Sequence, residues 1–191
     1  MIKILMAPLT SKGVLEYISG VKDTVVRVLN TAGLNVEVFI WPNVIKPSTR
    51  CFNWDRTQYY AKCIIDQVKE VFQILGVLNK YLVIAIGYLD GYEHGLNFVF
   101  GEAHSGYKIA VVFTKRLSPG YYGMEIDYNR YFERIVKEVI HELGHLLGLE
   151  HCDDRRCVMK FSNSVLEVDE KTMYFCNKCS KKMIDYISRT K

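Results

Sequence analysis

Apolar residues fall into short runs separated by polar and glycine-containing breaks, and their spacing predicts strands alternating with helices. Ile2–Ala7 has the length and hydrophobicity of a short buried strand. Ser11–Asn30 carries Leu15, Ile18, Val25 and Leu29 near helical spacing, with Gly33 beyond as a stop. Val36–Ile40 predicts a second strand, broken by Trp41-Pro42. Asn53 or Asp55 is then placed to cap a helix whose core face is Tyr60, Ile64, Val68 and Val71. Tyr81–Gly87 (YLVIAIG) is apolar throughout and suits a strand covered on both faces. Leu96–Glu102 and Lys108–Thr114 predict two further strands joined by the turn-like HSGY, and 116–123 reads as a loop. This alternation argues for an α/β layer.

The last strong helical pattern carries chemistry. Phe132, Val136, Val139, Leu143 and Leu146 recur at three- and four-residue steps and cluster on one arc. His141 and His145 share another face, roughly opposite, so they point into a cleft or a second layer. They open the stretch HELGHLLGLEHC, which holds three of the five histidines. Two neutral imidazoles one turn apart can reach the same zinc ion, and Glu142 between them can take a proton from a zinc-activated water. Gly148 can end the helix in the left-handed conformation, so that the chain turns back and His151 becomes a third ligand. Three protein ligands leave a zinc position open, the mark of a catalytic site. A lone histidine on such a helix would read as a solvated or core residue; the complete pattern does not.

Composition narrows the classes. The chain has 191 residues, with 49% hydrophobic and 24% charged positions, as expected of one globular domain. A net charge of +4 is too weak to imply nucleic acid. No run approaches the roughly 18 apolar residues of a membrane span, and MIKILMAPLTSKG is too short an apolar run for a signal peptide. A cytoplasmic protein is expected. Of six cysteines, four follow His151 and two of those form a CxxC, a distribution that favours metal over disulfides in a reducing compartment. Cys51 and Cys63 are expected to be buried or half-buried free thiols.

The pattern H-E-x-x-H-x-x-G-x-x-H resembles the signature of metzincin zinc peptidases. The closer likeness is to archaemetzincins, compact members of that clan, whose pattern continues from the third histidine into C-x4-C-x-M and later CxxC. Here Cys152 is followed by DDRR, Cys157-Val158-Met159 and then Cys176-Asn177-Lys178-Cys179. The resemblance rests on residues 141–179. It implies an α/β (α+β) fold with a mixed five-stranded sheet. An antiparallel edge strand, here Leu96–Glu102, would border the substrate cleft. The sheet would pack on helices that include the active-site helix, with a small C-terminal subdomain braced by a zinc ion on four cysteines. One catalytic domain, 1–191, would divide into an upper part at 1–148 and a lower part at 149–191. His141, His145 and His151 would hold the catalytic zinc, Glu142 would be general base and acid, and Met159 would be the turn methionine beneath the site. Some metzincins have a metal-binding tyrosine two residues after that methionine; Phe161 stands there and cannot ligate.

Cys152, Cys157, Cys176 and Cys179 make a four-thiolate set. Four sulfurs close a zinc tetrahedron against water, so this second zinc would be structural and would fix the loop that carries His151. Two Zn²⁺ ions and four thiolates cancel in charge. Two disulfides, or a redox-active CxxC, are the rival reading of these cysteines. His94 and His104 flank the edge strand and read as loop histidines; Tyr121 and Tyr122 read as packing residues, although a tyrosine near zinc could stabilise an oxyanion. Lys178, Lys181 and Lys182 read as a solvated helix face. The expected protein is therefore a zinc-dependent peptidase with two zinc ions. It would act on a peptide or protein substrate as a monomer, with no nucleic-acid or membrane partner. The alternatives are a two-zinc binding or regulatory module without peptidase turnover and, more weakly, a nucleic-acid-binding zinc ribbon.

Overall fold

Alternate residues of the central strands face opposite sides of one sheet, and each side has its own cover. Strands β1 (Ile2–Pro8) and β2 (Val36–Ile40) form where strands were expected, and they are parallel neighbours. A small separate sheet holds β3 (Phe52–Asn53), β4 (Gln58–Tyr60) and β6 (Gly91–Tyr92). The main sheet is completed by β5 (Leu82–Gly87), β7 (Gly101–His104) and β8 (Ile109–Phe113), in the order β2-β1-β5-β8-β7. All its pairs are parallel except β7 against β8, so the sheet is mixed and ends in an antiparallel edge strand. This is the expected architecture. The computed structural model describes residues 1–189, so the expected limits at residue 191 lie outside the described residues.

Helices α1 (Ile18–Thr31) and α3 (Tyr128–Leu146) cover one face. There Ile4, Met6, Ile84, Ile86, Ala110 and Val112 pack against Val25, Val28, Val136 and Val139. Helix α2 (Ala61–Ile74) covers the other, meeting Leu5, Ala7, Val83, Ala85, Val111 and Phe113 with Ile64, Ile65, Val68 and Phe72. The period of two in the strands and of 3.6 in the helices thus builds two cores on one sheet. The first core continues into the C-terminal segment through Cys157, Val158, Met159, Val168 and Met183. That segment carries α4 (Val165–Glu170) and α5 (Asn177–Arg189).

Four expectations are corrected. α1 starts at Ile18 rather than near Ser11, because Gly13 takes φ +73°, which no right-handed helix can pass through. Neither Asn53 nor Asp55 caps a helix. The stretch is the β3–β4 hairpin, where the Asn53 carboxamide oxygen accepts from the Arg56 N–H in the turn, and α2 starts only after Tyr60. The edge strand runs over Gly101–His104 rather than Leu96–Glu102; residues 96–99 make a single bridge, Val99 to Gly91, and the Leu96 and Asn97 carbonyls accept from the Arg56 guanidinium instead of a strand. Cys51 and Cys63 are not free thiols but a disulfide, because the turn preceding β3 sets Cys51 against the first turn of α2, with Cα atoms 5.4 Å apart.

Candidate metal centre and cleft

Helix α3 begins on a capped end, with the Asp127 carboxylate accepting from the Arg130 N–H, and ends where Gly148 takes φ +83°. This reversal brings His151 back beside His141 and His145. The ligating atoms of the three residues all lie within 4.8 Å of one another. The His141 Nδ1–H donates to the Val158 carbonyl and the His145 Nδ1–H to the Leu149 carbonyl, both at 2.8 Å. Each bond fixes the tautomer and leaves Nε2 as a lone pair. The two Nε2 atoms stand 3.1 Å apart. Two lone pairs facing each other at that distance repel unless a cation lies between them. Tetrahedral zinc with nitrogen ligands sets its donors about 3.3 Å apart, so this donor set suits the ion. His151 stacks at 5.3 Å on His141 and packs at 4.9 Å against Phe161, in the place where a ligating tyrosine is absent.

The histidines open into a cleft of about 640 Å³ walled on one side by Phe98–Ala103 and on the other by Glu138, His141, Glu142 and His145, with Phe161, Ser162 and Asn163 at one end. Glu142 is 4% exposed. Burial pushes its carboxyl well above the usual carboxylate range; the neighbouring Glu138 adds to this and Lys171 opposes it. Its carboxylate lies against Gly101 of the edge strand so closely that a Cβ at that position would overlap it. Burial likewise lowers the His141, His145 and His151 pKa values, favouring the neutral, ligating form of each ring. Met159 is fully buried beneath the helix, its sulfur packed on Gly144 where no Cβ would fit.

The four cysteines form the second donor group. Cys152, Cys157, Cys176 and Cys179 bring their sulfurs within 4.8 Å of one another. The Cys152 and Cys176 sulfurs are 3.8 Å apart, and tetrahedral zinc with thiolate ligands requires about 3.8 Å. Burial pushes the Cys157 thiol up to about 11 and raises Cys179 as well, while Cys176, despite its burial, is lowered by bonds from Cys179; a bound cation would hold Cys157 and Cys179 as thiolates. The Cys152 N–H donates to the Met159 carbonyl, the Val158 N–H to the Tyr174 carbonyl and the Cys176 N–H to the Cys157 sulfur. The loop carrying His151 and the C-terminal segment are thereby laced together.

All eight sequence-predicted site residues therefore sit at one of these two centres. His94 and His104 do not line the cleft: His94 packs at 4.7 Å on Tyr60, and His104 stacks at 3.7 Å on Tyr107. Tyr121 and Tyr122 are exposed outside the cleft wall, and Lys178, Lys181 and Lys182 are exposed on α5. Sequence reading missed a buried ion pair next to the histidines. Lys171, 1% exposed, lies 2.9 Å from the Glu138 carboxylate and donates to the Lys160 carbonyl beside Met159. Glu138 was within reach of the helical count, one turn before His141 and Glu142. Nothing in the spacing announces Lys171, which arrives from the end of α4. That helix is clamped to α3 by the bidentate Arg134–Asp169 pair and by Lys137 on the Val168 and Asp169 carbonyls. No helix among the described residues is long and apolar enough to cross a membrane.

Comparison with known proteins agrees with this geometry. The family model of peptidase family M54 matches residues 1–185. The archaemetzincin of Sulfolobus acidocaldarius is 41% identical over 177 residues, covering 90% of this chain and 96% of that protein. The crystal structure of archaemetzincin from Methanopyrus kandleri superposes with a TM-score of 0.81 at 33% identity, over 98% of this chain and 96% of that one. A zinc-dependent peptidase from Methanocorpusculum labreanum superposes with a TM-score of 0.82 at 29% identity, over 96% of this chain and 100% of that one.

Proposed function

The chain belongs to peptidase family M54 and is a zinc metallopeptidase; on that footing we propose that His141, His145 and His151 hold its catalytic zinc and that Glu142 is the general base and then the general acid. The observation carrying this reading is the pair of Nδ1–H bonds to backbone carbonyls, which turns two Nε2 lone pairs toward one point 3.1 Å apart. Zinc at that point supplies a Lewis acid that polarises the scissile carbonyl and makes water a better nucleophile. Everything else falls to the chain. The outer edge of β7 offers backbone N–H and C=O groups to an extended peptide, pairing it as one more strand. Gly101, without a side chain, lets that peptide run beside the Glu142 carboxylate. Glu142 takes a proton from the attacking water on its carboxylate oxygen and returns it to the nitrogen of the departing amine. Its burial suits the first role, since a carboxyl held above its usual range is a stronger base toward the attacking water.

We assign the cysteine quartet to a second, structural zinc. The described residues from 149 onward then form a small lower part braced under an upper part at 1–148. The test is a mass-spectrometric screen of a mixed peptide library, run with zinc-loaded wild type beside Glu142→Ala and with metal counted in both. Cleavage by wild type alone establishes Glu142 as the base. Equal cleavage by both removes it. Silence from both, with two zinc ions per chain, favours the binding or regulatory module over the peptidase.

A further inference from the structure

The Cys51–Cys63 disulfide lies outside the catalytic centre, yet it closes a segment that grips the rim of the cleft. Cys51 and Cys63 are 12 residues apart, and the loop they close holds the whole β3–β4 hairpin. Two side chains of that hairpin reach across to residues 95–99, which line the cleft. The Arg56 Nη2 donates to the Leu96 carbonyl at 3.0 Å and to the Asn97 carbonyl at 2.8 Å. The Gln58 Nε2 donates to the same Asn97 carbonyl at 3.0 Å and to Asp90 at 3.0 Å. Arg56 Nε in turn donates to Gln58, and its guanidinium lies 4.4 Å over the Tyr92 ring. The rest of the rim's support is the Val99 N–H to the Gly91 carbonyl, the Leu96 N–H to the Glu93 carbonyl, and the packing of Phe98 and Val99, with the Arg116 guanidinium 4.5 Å over the Phe98 ring. Residues 96–97 have no strand partner among the described residues.

We propose that the Cys51–Cys63 disulfide sets the rim of the substrate cleft through Arg56 and Gln58, so that thiol–disulfide exchange tunes how tightly the protein holds an extended peptide. Cys51 is buried and Cys63 half-buried, so exchange begins at Cys63. A thiolate of a dithiol reductant attacks the Cys63 sulfur, the S–S bond breaks and Cys51 leaves as a thiolate that takes up a proton. The second thiol of the reductant then displaces Cys63 and closes its own disulfide. The reductant loses two electrons and the protein gains two thiols. Opening the loop returns chain entropy to the hairpin, and the two side chains that fix the Leu96 and Asn97 carbonyls lose their anchor. Arg56 is a positioning residue: it touches the rim and not the reacting atoms.

The experiment compares oxidised protein with protein reduced by dithiothreitol in zinc-supplemented buffer, with Cys51→Ala/Cys63→Ala and with Arg56→Ala. Amide exchange of residues 93–99 is read by mass spectrometry. Affinity is measured for acetohydroxamate, which reports on the zinc alone, and for a peptidyl hydroxamate that also lies along the rim. On opening the disulfide, exchange of the rim amides rises by about tenfold, as local opening becomes easier. The peptidyl hydroxamate weakens by about fivefold, a change of rim ordering rather than of metal contact, and acetohydroxamate is unchanged. Arg56→Ala reproduces part of this with the disulfide intact, and reduction of that variant adds only the smaller share held by Gln58. Unchanged rim exchange after verified reduction overturns the proposal, as does a loss on reducing Arg56→Ala as large as the loss on reducing wild type. Equal weakening of both hydroxamates also overturns it, by placing the effect at the metal centre. The part concerning peptide affinity rests on the peptidase reading. The exchange measurement does not, so if neither hydroxamate binds, the peptidase reading fails while the rim coupling is still decided.

Discussion

The histidine tripod and the cysteine quartet gather donor atoms within the same 4.8 Å spread, yet they are built for opposite ends. The tripod uses three nitrogens, two of them on one rigid helix and aimed by backbone carbonyls, and it faces an open cleft. The quartet uses four soft sulfurs from a loop and the start of α5, and it faces the protein's own backbone. Donor count separates them: three ligands leave a vertex for chemistry and four leave none. So does the origin of their rigidity. The tripod inherits order from α3, whereas the quartet, on the proposed reading, would create order in a segment with little secondary structure. A metal site can be a consumer of a fold or a producer of it, and that reading sets one of each next to the other.

The largest test of that contrast is Cys179→Ser. It should lower zinc from two ions to one per chain by native mass spectrometry. It should also cost several kcal/mol of stability, since structural zinc binding is itself folding free energy; loss of zinc without loss of stability would break the distinction. Glu142→Ala sits at the other pole. It should reduce turnover by about three orders of magnitude while both metals and the melting temperature stay in place. Lys171→Met probes the seam between the two, because it strands Glu138 beside the tripod. Breaking a buried pair in this way should cost about 3 kcal/mol in chemical denaturation, and Glu138→Gln/Lys171→Met together should cost less than Lys171→Met alone.

The smallest effect concerns the cleft side only. Burial, and then the adjacent Glu93, push the Glu102 carboxyl up to about 8. A raised carboxyl pKa means the folded state holds the proton more tightly than the unfolded chain does. The stabilisation is therefore full below the unfolded value and is lost as pH rises through the folded one. Glu102→Gln should remove that loss, flattening the fall in melting temperature between about pH 4.5 and pH 8. An unchanged slope would show that Glu102 ionises freely in the folded protein.

The catalytic half of this arrangement was legible because a helix converts sequence spacing directly into geometry. His141, Glu142 and His145 could be placed on one turn by counting, and Gly148 marked where the count had to stop. Spacing also found the quartet, since CxxC and C-x4-C are local. What resisted reading depended on contacts between distant segments. Asn53 and Asp55 looked like helix caps because their side chains bond locally in turns as readily as at helix ends. Phe52 and Tyr59 pair across the hairpin in a way that helical spacing does not record. The edge strand reads too early because Leu96, Phe98, Val99 and Phe100 are apolar, though the Leu96 carbonyl is held by Arg56 from forty residues away. The Cys51–Cys63 bond and the Lys171–Glu138 pair belong to the same class.

His151 and Cys152 are consecutive residues that belong to different donor groups, and on the proposed reading this adjacency would shape how the molecule matures. The loop that delivers His151 has no secondary structure of its own and is laced down through Cys152 and Met159. On the proposed two-zinc reading, closing the sulfurs would steady the third imidazole beside the two on α3. Filling the thiolate centre would then help to complete the nitrogen centre. A newly made chain would finish its cleft only once the segment through Cys179 had been made and locked.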